Sequence, residues 1–189
     1  VIAYPCLEGT PSFARGIVSD YIKESQEEIS IAIPMKREYE PAQQAYDHAA
    51  KTLLERLREG KNVAVLCEGD PFFYGSFQYL FFRLAKKCPI KVVPGVSSLM
   101  ACSTSLGQPL SARNDVLSIL PAPLSDALLK ACLQVADTAA IIKIGRHFSR
   151  IRNLLETMNL EKKSYYIERS TLPNEKIKNL DNVDPLEVP

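Results

Sequence analysis

Histidine is scarce in this chain: His48 and His147 are the only two in 189 residues, and neither belongs to a Cys/His cluster. A structural or catalytic metal would lack its usual ligands, so no metal is expected. Cysteine offers no framework either. Cys6, Cys67, Cys88, Cys102 and Cys132 are odd in number, widely spaced and without a C-x-x-C pair, which argues against a disulfide scaffold and a zinc site alike. They read as small, mostly buried apolar residues in a reducing, cytoplasmic compartment. No apolar run approaches the roughly 18 residues of a membrane span, and no secretory signal is visible. Net charge is only +1, which excludes bulk attraction to nucleic acid or to an anionic membrane. Neither G-x-G-x-x-G nor G-x-x-x-x-G-K-S/T occurs, so dinucleotide and P-loop phosphate binding are not indicated. Internal repeats and low-complexity tracts are missing.

What remains is an ordinary globular composition, 46% hydrophobic and 24% charged, in a length that suits one domain or two small ones. Val1–Tyr4 reads as a strand broken by Pro5. Ser12–Ile22 reads as a helix capped by Ser12, and the alternating Ile29–Ile33 as a strand ended by Pro34. Pro41–Glu59 is the clearest helix. Ala42, Ala45, Tyr46, Ala49, Leu53, Leu54 and Leu57 form its apolar stripe, and Gly60 suits its end. Asn62–Cys67 is a buried strand, Ser76–Lys87 a helix, Ile90–Val93 a strand and Ser97–Leu106 a helix of small residues. This alternation predicts a mainly parallel sheet covered by helices. Then come strands at Val116–Leu120, Ala139–Ile144 and Ser164–Ile167, and helices at Ser125–Val135 and Phe148–Met158. The aperiodic Gly107–Asn114 segment marks a boundary, giving domains 1–108 and 109–189. The chain opens inside an apolar run without Met and stops at Pro189 after a polar stretch, so native segments are expected beyond both ends.

Three strand ends carry the chemistry. The apolar run Val63–Cys67 stops at Glu68-Gly69-Asp70-Pro71-Phe72-Phe73-Tyr74-Gly75-Ser76. In open α/β sheets ligands collect at the carboxyl ends of strands. Gly69 and Gly75 allow close approach of a ligand, Asp70 can accept hydrogen bonds from ammonium or hydroxyl groups, and the aromatics can wall an adenine or face a cation. The alternative is a tight turn with Asp70 capping its own amides and the rings in the core. Second, Val93-Pro94-Gly95-Val96-Ser97-Ser98 ends a strand and opens a helix, where hydroxyls and free amides bind polar ligands; the alternative is a simple helix cap. Third, Lys143-Ile144-Gly145-Arg146-His147 is a basic glycine turn, with His147 read first as a surface or capping residue. Basic residues recur at turns as Arg15, Lys36, Arg37, Arg113, Arg146, Arg150 and Arg169, a set that suits a polycarboxylate or is simply surface.

These pieces, in this order, resemble the S-adenosylmethionine-dependent tetrapyrrole methylases. The resemblance runs through Ile2–Pro5, Pro41–Gln43, Leu66–Phe77, Val93–Ala101, Pro109–Ala122, Lys143–His147 and Ile167–Glu175. The stretches Cys67–Phe77 and Leu120-Pro121-Ala122-Pro123-Leu124 are specific to the branch that methylates C20 of precorrin-2 or cobalt-factor II in cobalamin synthesis. The resemblance implies two α/β domains with the cofactor cleft between them, a homodimer, and methyl transfer from S-adenosyl-L-methionine to a reduced tetrapyrrole. It implies cofactor contacts at Glu68, Gly69, Asp70, Phe73, Ser97, Ser98, Ile144, Gly145 and Ser170. Arg113, Arg146 and Arg169 are the candidates for gripping acetate and propionate arms. The family opens with a strand and a Gly-x-Gly-Pro-Gly-Asp loop, and this chain begins after both; closing strands of the second domain are likewise expected beyond its end. No catalytic residue is assigned, because transfer of an already electrophilic methyl asks for orientation more than for acid–base help. A methylase of the same fold with another substrate, and a non-catalytic tetrapyrrole binder, are the alternatives.

Overall fold

The computed structural model describes residues 1–34 and 39–188, so Lys36 and Arg37 lie outside the described residues. The chain divides into two compact units, Val1–Ser97 and Ser98–Pro189. The helix at Ser98–Leu106, read from the sequence with the first domain, therefore groups with the second.

In the first unit, β1 (Ile2–Leu7) lies between β2 (Glu28–Ile33) and β3 (Ala64–Val65), all parallel. Ile2 is level with Glu28 on one side and with Ala64 on the other. Contrary to the break expected from the sequence, Pro5 lies inside β1. Odd-numbered residues of β1 face β3, as the Leu66 N–H to Ala3 C=O bond at 2.8 Å shows. β3 ends before Pro5, so the missing N–H costs no ladder bond. The Pro5 carbonyl on that edge accepts the Ser12 hydroxyl at 2.6 Å instead.

Ser12 also caps α1, accepting the Arg15 amide, but α1 is only Phe13–Ile17, followed by a single 3-10 turn at Ser19–Tyr21. α2 (Tyr39–Arg58) begins two residues before Pro41 and closes where Gly60 N–H reaches Leu57 C=O at 3.0 Å and Lys61 N–H reaches Arg56 C=O at 3.1 Å. Of its expected stripe, Tyr46, Ala49 and Leu53 are buried and Ala42, Ala45, Leu54 and Leu57 half-buried; Ala50 joins them, and the buried set packs with Ala3 and Ile31 of the sheet and Leu80 and Leu84 of α3 (Phe77–Leu84). The strand expected at Ile90–Val93 is absent: this segment joins none of the ladders among the described residues. The buried strand expected at Asn62–Cys67 shrinks to the two residues of β3 for a related reason: Leu66 follows the ladder for one more bond, then the chain turns away.

In the second unit, α4 (Ser98–Leu106) precedes β4 (Leu117–Pro121), α5 (Asp126–Val135), β5 (Thr138–Ile142) and α6 (Phe148–Thr157). β4 and β5 pair in parallel from Leu117↔Thr138 to Pro121↔Ile142. Ser125 caps α5 through the Leu128 amide. Leu120, Ala122, Leu129, Phe148, Ile151, Leu154 and Leu155 form the core. β6 (Tyr165–Glu168) then pairs antiparallel with β7 (Lys176–Asn179), so the polar stretch near the end does contain a closing strand. Its Lys-Ile-Lys-Asn sequence, with one apolar residue, hid it.

The five cysteines are free and half-buried rather than fully buried. Among the described residues no helix is long and apolar enough to cross a membrane, and no group of three His, Cys, Asp or Glu is placed to hold a metal ion.

Candidate functional site

β3 delivers the Glu68–Ser76 loop, and Asp70 organises it. One carboxylate oxygen, Oδ1, accepts the amides of Phe72 at 2.9 Å and Phe73 at 3.1 Å. The other, Oδ2, accepts the amide of Gly95 at 3.0 Å. The Gly95 amide first, then that of Phe72, hold the Asp70 carboxyl below the usual carboxylate range. Asp70 therefore does what the plainer sequence alternative proposed, capping its own turn, and also joins that turn to the second one. Most of its acceptor capacity is committed to backbone.

The two glycine turns touch. A Cβ built on Gly95 would stand 2.1 Å from the Gly69 carbonyl oxygen, so no side chain fits there. Gly69 itself has φ +63°, and a Cβ on it would meet Val96 O and Ser97 Cα at 3.5 Å. Glu68, Gly69, Asp70, Phe73 and Ser97 are thus brought together in the first unit. Ser98 opens α4 in the second.

Contrary to the plainer alternative, the rings do not fill the core. Phe72 is 51% exposed, edge-on to Phe81 with centroids 4.9 Å apart. Phe73 is half-buried and edge-on to Tyr74 at 5.1 Å. With the exposed Val93 and Val96 they supply apolar surface beside the polar turn. Burial, then the charges of Asp70 and Glu68, push the Cys67 thiol up, so Cys67 is not an activated nucleophile.

In the second unit, Lys143 leaves β5 with φ +58°. Ile144 packs against the core and its carbonyl accepts the His147 amide at 2.7 Å. Gly145 and Arg146 are exposed, and His147 sits half-buried at the start of α6 without a side-chain capping bond. Arg113 is exposed at φ +50°, in a turn held by the Ala112 amide on Asp115 at 2.7 Å. Arg169, exposed at φ +53°, lies 3.3 Å from Glu168.

Two other arginines are structural posts. Arg15 makes paired bonds to Glu28 at 2.7 and 3.0 Å, and Arg150 bonds Asp126 and the Ala122 carbonyl.

Ser170 is 2.9 Å from the Ser105 hydroxyl and close to Cys102 and Glu175. The sequence reading did not name Cys102, Ser105 or Glu175 as site residues. The long separation between α4 and the β6–β7 turn leaves no local pattern that would reveal them.

Residues 1–184 match the family of Tetrapyrrole (Corrin/Porphyrin) Methylases. A precorrin-2 C(20)-methyltransferase of Sinorhizobium sp is 34% identical over 182 residues, 92% of this chain and 74% of that protein. A cobalamin biosynthesis protein, CobIJ, of Mycobacterium tuberculosis is 34% identical over 100% of this chain, which spans only 39% of its length. A cobalt-precorrin-2 C(20)-methyltransferase of Salmonella typhimurium is 27% identical over 89% of this chain and 71% of its own. Among solved structures, a cobalt precorrin-4 methyltransferase, CbiF, superposes with TM-score 0.65 at 17% identity, covering 94% of this chain and 72% of that one. A uroporphyrin-III C-methyl transferase of Thermus thermophilus, complexed with S-adenyl homocysteine, gives 0.57 at 20% identity, covering 95% and 76%. At these identities the structural likeness is one of fold.

Proposed function

Because the chain belongs to the tetrapyrrole (corrin/porphyrin) methylase family, we propose that it methylates C20 of precorrin-2, or of its cobalt-containing counterpart cobalt-factor II, with S-adenosyl-L-methionine as methyl donor, in cobalamin synthesis. The observation that carries this reading is the 34% identity to a precorrin-2 C(20)-methyltransferase, spread over 92% of the chain.

The residues present fit the cofactor. The Gly69–Gly95 contact leaves a surface of bare backbone, the exposed Phe72, Val93 and Val96 offer apolar area for a purine, and the carboxylate of Glu68 on the same turn would suit a sulfonium or an ammonium. When bound, the cofactor would supply an electrophilic sulfonium methyl to an electron-rich meso carbon, with S-adenosylhomocysteine as the leaving group and the proton of that carbon lost to solvent. Glu68, Gly69, Phe73, Ser97, Ser98, Ile144, Gly145 and Ser170 would hold the cofactor. Asp70 fixes the two turns that present Gly69 and Ser97. Arg113, Arg146 and Arg169 would grip the carboxylate arms of the tetrapyrrole by paired hydrogen bonds. Orienting both reactants can supply roughly 7–11 kcal/mol of the barrier, so these residues work by position, and no catalytic base is assigned.

The reading brings a cytoplasmic homodimer with it. Free cysteines suit a reducing compartment, and the exposed Phe13, Ile17 and Tyr21 leave apolar area for a second copy.

Side-by-side incubation of the protein with S-adenosyl-L-methionine and each substrate, read by mass spectrometry, tests the proposal. One substrate gains a single methyl while S-adenosylhomocysteine accumulates in equal amount. Release of no S-adenosylhomocysteine with either substrate would refute it.

A further inference from the structure

The turn joining β6 to β7 holds two non-glycine residues in the left-handed region, Arg169 at φ +53° and Thr171 at φ +67°, one on each side of Ser170. That conformation is unfavourable for side-chain-bearing residues, and most of all for a β-branched one. It persists where the surroundings over-determine it, and it concentrates at functional sites.

Glu175 provides that determination. Its Oε1 accepts the Thr171 amide at 3.1 Å. The neighbouring Ser105 first, then the Thr171 amide, hold its carboxyl below the usual carboxylate range, and the Ser105 and Ser170 hydroxyls stand 2.9 Å apart. The turn is closed from within by Leu172 N–H to Arg169 C=O and Glu175 N–H to Leu172 C=O, both 3.0 Å. The Glu175 side chain thus braces the strained turn from within, and the Ser105–Ser170 hydroxyl contact ties that turn to helix α4. Together they fix where the Ser170 hydroxyl stands and from which backbone position Arg169 leaves. Neighbouring Cys102 is a half-buried thiol raised by burial, a packing partner for Ser170 and not a reactive group.

The geometry points to Glu175 as a positioning residue for cofactor binding, acting through Ser170; the inference rests on the cofactor role proposed above for Ser170. Glu175 carries no chemistry in the transfer itself. Its removal costs affinity for the cofactor and leaves the rate of the bound complex nearly intact, the pattern of lost uniform binding.

The test is calorimetric titration of S-adenosylhomocysteine into wild type, Glu175→Ala and Glu175→Gln, with KM for S-adenosyl-L-methionine and kcat measured alongside. In Glu175→Ala the Kd and the KM rise about tenfold or more while kcat changes by less than about threefold. Glu175→Gln keeps one acceptor oxygen and a similar shape, and its Kd falls between wild type and Glu175→Ala. Should Glu175→Ala fail to fold, the Gln variant decides: a raised KM with near-normal kcat supports the positioning role. A KM unchanged in the folded variants overturns it, and so does a fall in kcat and melting temperature alone, the mark of a merely structural residue. If wild type does not bind S-adenosylhomocysteine, the cofactor reading fails and the inference falls with it. If wild type binds and both variants bind equally well, the inference alone fails.

Discussion

The carboxylate of Asp70 accepts the amide of Gly95 at 3.0 Å across 25 residues of sequence. That bond joins the turn after β3 to the Pro94-Gly95 turn, while the other oxygen of the same carboxylate holds the amides of Phe72 and Phe73. In the proposed cofactor site these turns would form a wall of bare backbone, and the clamp holds them together where no side chains interlock.

Replacing Asp70 by Ala removes the acceptor from all three amides. The Kd for S-adenosylhomocysteine should rise by about tenfold or more, and Asn, which keeps one acceptor oxygen, should lose less. Calorimetry checks both variants; an unchanged Kd in Asp70→Ala would detach the clamp from the binding surface. The carboxyl sits below the usual range in the folded state, so its contribution to stability is fully present above the ordinary Asp value near 4. It is lost as pH falls through the lowered folded value, and the Ala variant should show a correspondingly shallower acid transition.

Gly95→Ala places a Cβ 2.1 Å from the Gly69 carbonyl oxygen. Forcing the turns apart should cost on the order of 1–3 kcal/mol and weaken cofactor binding. Gly16→Ala is the control. No atom lies within 4 Å of its Cβ position and its backbone is helical, so it should be neutral or stabilising by up to about 1 kcal/mol. Urea unfolding of the pair separates a steric effect from a general intolerance of alanine.

The turns after β3 and β5 were legible because an apolar run stopped by Gly or Pro is a local signal, whereas the same signal before Pro94 marks a turn that no strand precedes, and α2 was legible because its stripe repeats over several turns. Three things were hidden. Pro5 looked like a breaker because the side of β1 on which its missing N–H falls depends on the register with β3. β7 has a single apolar residue, Ile177, between lysines. The work of Asp70 and Glu175 depends on partners far along the chain, Gly95 for one and Ser105 for the other, and no spacing rule reports such contacts.

Leu53 is 1% exposed, between the sheet and α3, and Leu129 is fully buried in the second unit. Each Leu→Ala substitution should destabilise by about 2–5 kcal/mol. Chemical denaturation monitored by circular dichroism measures it, and a loss below about 1 kcal/mol would contradict the packing described.

The hydroxyl of Tyr166 donates to Glu168 at 3.0 Å, and burial, then that partner, push its pKa up to about 12. A folded value above the ordinary one near 10 means the contribution is intact below pH 10 and lost as pH rises through 12. Tyr166→Phe keeps the ring against Phe148 and should flatten the alkaline fall in stability over that window. An identical alkaline profile in the two proteins would show that Tyr166 does not govern it.

Arg146 stands exposed on the turn after β5. Arg146→Ala should weaken binding of the tetrapyrrole and leave the Kd for S-adenosylhomocysteine unchanged, as separate titrations of the two ligands would show. Normal tetrapyrrole binding would remove Arg146 from the substrate grip.

The most direct test of the function is the fate of the methyl group. The protein is incubated with precorrin-2, and in parallel with cobalt-factor II, together with S-adenosyl-L-methionine carrying a carbon-13 label in its methyl. The product is then read by NMR. The account predicts one labelled methyl bonded to C20 with one of the two substrates. A label at any other ring position, or none in the tetrapyrrole from either incubation, would contradict it.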